Sequence, residues 1–218
     1  AQQTVQTGAT GGCHDLALLT SGGMDKLIDP ADPRAHAGVS CTSCHSATHA
    51  TVDGNGSLTL RSDDALPEKI EDATLENHKK RVGNPTLRTV ELCASCHRSF
   101  LSQATGNQAA FFGMDDFGAW QKSAYNGSHG ERPDAVKAQD CRGCHMLKEP
   151  AVLGDVAAKK GQITSHRFLG SHTALAAMRS DADTLARVKA FLKVAVTVDV
   201  AASRLGDGPW LPAASLVA

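Results

Sequence analysis

Cys41-Thr42-Ser43-Cys44-His45, Cys93-Ala94-Ser95-Cys96-His97 and Cys141-Arg142-Gly143-Cys144-His145 use six of the seven cysteines in one pattern, CxxCH. Two thiols at this spacing can each form a thioether to a vinyl group of one haem, and the histidine that follows binds the iron as proximal ligand. Zinc and disulfides are the rival readings. Two CxxC pairs make a four-cysteine zinc site, but three pairs strand one, and zinc gives no reason for a histidine after every pair. With ten histidines in 218 residues, chance would place one after all three pairs in roughly one chain in ten thousand. A disulfide framework also ignores the histidines, and seven is an odd number of cysteines. Three haems c are therefore expected, with His45, His97 and His145 as proximal ligands.

The seventh cysteine stands in Thr10-Gly11-Gly12-Cys13-His14, a CxxCH with threonine in the first cysteine position. One reading is a free thiol beside a surface histidine. The other is a fourth haem held by a single thioether at Cys13, with His14 on the iron. An unpaired thiol is a liability in an oxidising compartment, and a thioether removes it.

Four proximal histidines leave His36, His49, His78, His129, His166 and His172. If each iron takes a second histidine, four of these six are distal ligands. His36, His78 and His129 each precede a full motif and His166 follows the last, so these four are the preferred set. His49, four residues after His45, would sit one helical turn on. Met24, Met114, Met146 and Met178 are read as core filler.

The rest of the composition agrees with an interior built around something other than side chains. Aromatic residues make up only 4% of a chain that is 41% hydrophobic. The 22 Lys+Arg against 23 Asp+Glu leave a net charge of −1, which gives no electrostatic case for nucleic acid or an anionic membrane. No apolar run is long enough for a transmembrane helix. The start, Ala1-Gln2-Gln3, suits a mature terminus left by signal cleavage, and a fragment boundary fits as well.

Along the chain, residues 1–60 read as glycine-rich loop that needs a cofactor to pack against. A helix is expected over 67–81, opened by Pro67, with His78 near its end. Another is expected over Asp115–Tyr125, and a longer one from Thr173 to about Lys193 with a break at Ser180. Residues 194–200 alternate β-branched and other residues and read as one strand. The motifs recur at 52 and 48 residues with no close repeat between them. The expected fold is mainly α and loop-rich, with short helices around stacked covalent haems. Its haem domain would cover 1–193, and a tail over 194–218 would begin a β-domain or dock a strand.

Residues 120–145, WQKSAYNGSHGERPDAVKAQDCRGCH, carry a Trp…Ser…His-Gly…CxxCH pattern. With the upstream histidines, it resembles the multihaem cytochrome c superfamily that includes hydroxylamine oxidoreductase and the tetrahaem and pentahaem nitrogen-cycle cytochromes. The segments CHDLALL (13–19), IDPADPRAHAGVSC (28–41), VELCASCH (90–97) and SHRFLGSHTAL (165–175) are similar to bacterial multihaem cytochromes with a C-terminal β-domain. That resemblance implies a haem at residues 10–14 and a β-domain following the strand. Three departures stand against it: Thr10 replaces a cysteine, there is no CxxCK motif, and Tyr125 is the single tyrosine.

The function expected is electron transfer through three or four haems, mostly low-spin and bis-histidine, in an exported periplasmic or extracellular protein with redox protein partners. A reductase or oxidase of nitrogen or sulfur compounds would need one haem with an open face. A subunit of an extracellular cytochrome filament, or of a membrane complex built through other subunits, would use a spare histidine or docking surface.

Overall fold

The computed structural model describes residues 2–5, 11–23, 28–61, 74–103, 106, 108–127, 137–195, 202–204, 206–209 and 211–212. The chain divides into two compact units, 1–165 and 166–218.

In the first unit, β1 (Gln2–Val5) is followed by α1 (Gly11–His14), α2 (Leu16–Thr20), a 3-10 turn (Pro33–His36) and α3 (Cys41–His45). Then come β2 (Ala47–Ala50), β3 (Leu58–Arg61), α4 (Leu75–Val82), a 3-10 turn (Pro85–Arg88) and α5 (Val90–Ala94). The unit continues with β4 (Arg98–Leu101), β5 (Phe111–Asp115), α6 (Asp116–Lys122), α7 (Cys141–His145), β6 (Lys148–Pro150) and β7 (Gln162–Thr164). The strands form antiparallel sheets ordered β1-β3-β2, β4-β5 and β6-β7.

This corrects the expectation of a mainly α fold with little β. Each full CxxCH motif is followed at once by an antiparallel strand pair: β2-β3 after Cys41–His45, β4-β5 after Cys93–His97, β6-β7 after Cys141–His145. The strands are three to five residues long, and the turn residues between them read as loop. The motif spacing of about fifty residues is therefore the period of a structural module, a one-turn helix plus a hairpin.

The main core lies between α2 and the three-stranded sheet. Leu16, Ala47, Ala50, Leu58 and Leu60 are buried together, and Leu19, Leu92 and Cys96 pack against them. Sheet alternation places Leu58 and Leu60 on one face of β3. The β2-β3 turn is braced on the next module. The Asn55 amide hydrogen-bonds both ways with the Phe100 backbone at 3.0 Å, and Asn55 N–H and Gly56 N–H donate to Arg98 O and Ser95 O at 2.9 and 2.7 Å. Gly54 adopts φ +77°, and a Cβ there would stand 2.3 Å from Arg98 O, so this crossing requires glycine.

In the second unit, α8 (Ala174–Met178) and α9 (Ala182–Leu192) replace the single long helix expected over 173–193. The break falls where it was expected: Ser180 has φ +54°. The cap is one residue later, with Asp181 Oδ1 accepting from Thr184 N–H at 2.9 Å. Val188 is fully buried on α9. Of the strand expected over 194–200, Val194 and Ala195 lie in the turn after α9 and 196–200 fall outside the described residues. A short antiparallel pair, β8 (Ala202–Ser203) with β9 (Leu211–Pro212), forms further on. The helix expected over 67–81 is described only from Leu75 to Val82, as α4. The Asp115–Tyr125 helix appears as α6 followed by a 3-10 turn, Ala124–Asn126.

Candidate functional site

The four cysteine–histidine segments share one local geometry. Cys41–His45 and Cys141–His145 are each a single helical turn, and Cys93–His97 closes as one, with His97 N–H donating to Cys93 O at 2.8 Å. At 3.6 residues per turn, cysteines three apart lie on one face and the histidine lies one turn beyond the first. Gly11–His14 is also a short helical turn ending on His14, while Thr10 lies outside the described residues.

Local chemistry fixes where these turns start. Ser40 N–H donates to Ser43 Oγ at 3.0 Å ahead of the first full motif. Asp140 Oδ1 accepts from Gly143 N–H at 3.0 Å ahead of the third, and its other oxygen binds the Arg142 guanidinium. Burial raises the Asp140 carboxyl, but the bonds from Arg142 and Gly143 outweigh it and hold the group below the usual carboxylate range. Arg142 Nη1 also reaches Leu87 O at 3.3 Å, which ties the third motif to the turn preceding the second.

The thiols meet across the modules. Cys13 and Cys96 are 83 positions apart, and Cys13 Sγ stands 4.0 Å from Cys96 O. The Cys96 thiol is lowered to about 7 by the hydrogen bond from Cys13, while the same bond and burial push Cys13 up. The Cys141 thiol is lowered to about 7 by its interaction with Cys93, and Cys93 is raised by the same interaction and by burial. Burial raises Cys44, which also feels the charge of Cys96; burial likewise raises Cys144, whose Sγ lies 3.5 Å from Gln139 Oε1. All seven cysteines are free, and among the described residues no three His, Cys, Asp or Glu side chains converge as a metal-ion site.

Two expected proximal histidines have a carboxylate on the ring nitrogen away from the candidate iron ligand. His14 Nδ1 lies 2.9 Å from Asp15 Oδ2, and His97 Nδ1 lies 3.0 Å from Asp116 Oδ2. This leaves Nε2 as the candidate ligating nitrogen, an arrangement common among metal-bound histidines. The sequence reading did not single out either aspartate. Asp15 is adjacent to His14 and was legible in principle, whereas Asp116 arrives through the β4-β5 pairing 19 residues on.

The expected distal histidines are scattered over several elements. His36 ends the Pro33–His36 turn and is exposed, with Nε2 2.7 Å from Pro30 O, a bond that ligation through Nε2 would have to break. His78 is carried by α4, and His129 falls outside the described residues. His166 is in the second unit, edge-on to Phe168 at 6.0 Å. His49 is exposed on β2, so the helical offset from His45 does not apply.

Four of the ten buried hydrophobic residues are alanines, while seventeen large hydrophobics are exposed among the described residues, Phe111 and Phe112 by 63% and 74%. Exposed apolar residues in this number are surface that a covalent porphyrin can cover. No protein-family model, curated protein or solved structure matches the chain.

Proposed function

We propose that the protein is an electron-transfer cytochrome of the multihaem c type, with haems on Cys41/Cys44, Cys93/Cys96 and Cys141/Cys144 and a fourth on Cys13. The observation that carries this reading is the CxxCH pattern met three times, with Cys41–His45 and Cys141–His145 each one helical turn and Cys93–His97 closed by the bond from His97 N–H to Cys93 O. Haem supplies reversible one-electron chemistry when bound. The chain's own contribution is attachment, orientation and spacing. Cysteine pairs fix each porphyrin edge, and His14, His45, His97 and His145 present a nitrogen to each iron. The helix-plus-hairpin modules hold the four turns side by side. The second module meets Cys13 at Cys96 O, the first hairpin at Ser95 O and Arg98 O, and the third motif at Leu87 O, so it would be the junction of the array rather than one end of a row.

Histidine at both axial positions, with His36, His78, His129 and His166 as the distal set, would leave no substrate position and favour carriage over catalysis. Redox proteins of an exported compartment are the partners this implies. Optical and EPR spectra of purified protein test the reading: low-spin iron unchanged by cyanide or nitrite is expected. A high-spin fraction that shifts on either addition would instead identify an enzyme.

A further inference from the structure

We infer that Asp116 is a positioning residue that sets the reduction potential at the junction site, through its carboxylate on His97 Nδ1, with Asp15 acting likewise on His14. This rests on the proposed haem ligation by His97 and His14.

Asp116 is held against His97 from two directions. Its carboxylate meets the ring at 3.0 Å, and its own N–H donates to His97 O at 3.1 Å. The β4-β5 ladder fixes this register, since Arg98 and Asp115, the next residues along each strand, pair directly. Arg98 Nε adds an ion pair to Asp115 Oδ1 at 3.5 Å. The carboxylate is therefore delivered by the hairpin rather than by a free side chain.

As a plain surface pair this contact would matter little. His97 and Asp116 are 62% and 66% exposed, and ion pairs so open to solvent contribute little to stability. Its consequence lies in ligand chemistry. An imidazole that donates Nδ1–H to a carboxylate is a more basic ligand through Nε2. A more basic ligand stabilises ferric over ferrous iron and lowers the potential. An amide in place of the carboxylate accepts the same proton more weakly and carries no charge.

The test is a spectroelectrochemical titration of the haem-loaded protein and of Asp116→Asn, with haem content measured on both. One one-electron step should move positive by at least 59 mV, a tenfold change in the equilibrium, while the remaining steps stay in place. Asp15→Asn should move a different step in the same direction. A fully loaded Asp116→Asn whose titration superimposes on wild type, or moves negative, overturns the inference. If Asp116→Asn does not retain haem, Asp116→Glu decides: wild-type haem content and titration support the carboxylate's role, and their loss refutes it. Failure of the haem reading itself is distinguishable, because wild-type protein would then carry no covalent haem by intact mass.

Discussion

Cys13 departs from the pattern of its neighbours by one atom set, the missing thiol at Thr10. Its backbone turn and its sulfur contact with Cys96 nevertheless place it as the others are placed. With a single thioether, one vinyl group stays conjugated with the porphyrin. The reduced α-band of that haem should then be red-shifted from the other three, and Thr10→Cys should abolish the shift, as read in the low-temperature reduced spectrum. At the complete motifs the roles of thiol and imidazole separate. Alanine at His45, His97 or His145 should leave the thioethers in place and perturb one iron. The expected result is an unchanged intact haem mass with one haem converted from low-spin to high-spin in the EPR spectrum. Loss of no low-spin signal from any of the three would contradict their ligand assignment.

The strand pairs that follow each motif carry the orientation of the site, and their weak points are single positions. Gly54→Ala sets a Cβ against Arg98 O at φ +77°. This should destabilise the protein by about 1–3 kcal/mol, read as a lowered denaturation midpoint. Removing the Asp140 cap from α7 by Asp140→Ala should cost about 1 kcal/mol near neutral pH. Because the folded Asp140 carboxyl titrates below its unfolded value, its contribution is present above about pH 4 and fades as pH falls through the folded value. Denaturant midpoints of wild type and Asp140→Ala should therefore converge in acid. The α8–α9 break at Ser180 and the helix at α6 were legible because caps and apolar spacing are local signals. The strand pairs were not, because β4 and β5 are four and five residues long and pair across residues 102–110. Nothing within such a segment distinguishes it from loop. The CxxCH turns were readable as chemistry, but their contacts, Cys13 on Cys96 and Asp116 on His97, depend on that pairing.

Across the whole chain, 4% aromatic residues and a buried set rich in alanine describe a polypeptide that encloses little of its own bulk. On the proposed reading, porphyrins on the four turns would supply that bulk and a route for electrons. Among the described residues no helix is long and apolar enough to cross a membrane. The claim on which all of this depends is covalent haem at four cysteine–histidine turns. Intact-mass measurement of protein produced with a c-type maturation system tests it most directly, since each haem adds on the order of 600 Da. The account predicts the chain plus four haems and no alkylatable thiol. The mass of the bare chain, with all seven cysteines open to alkylation, would contradict it.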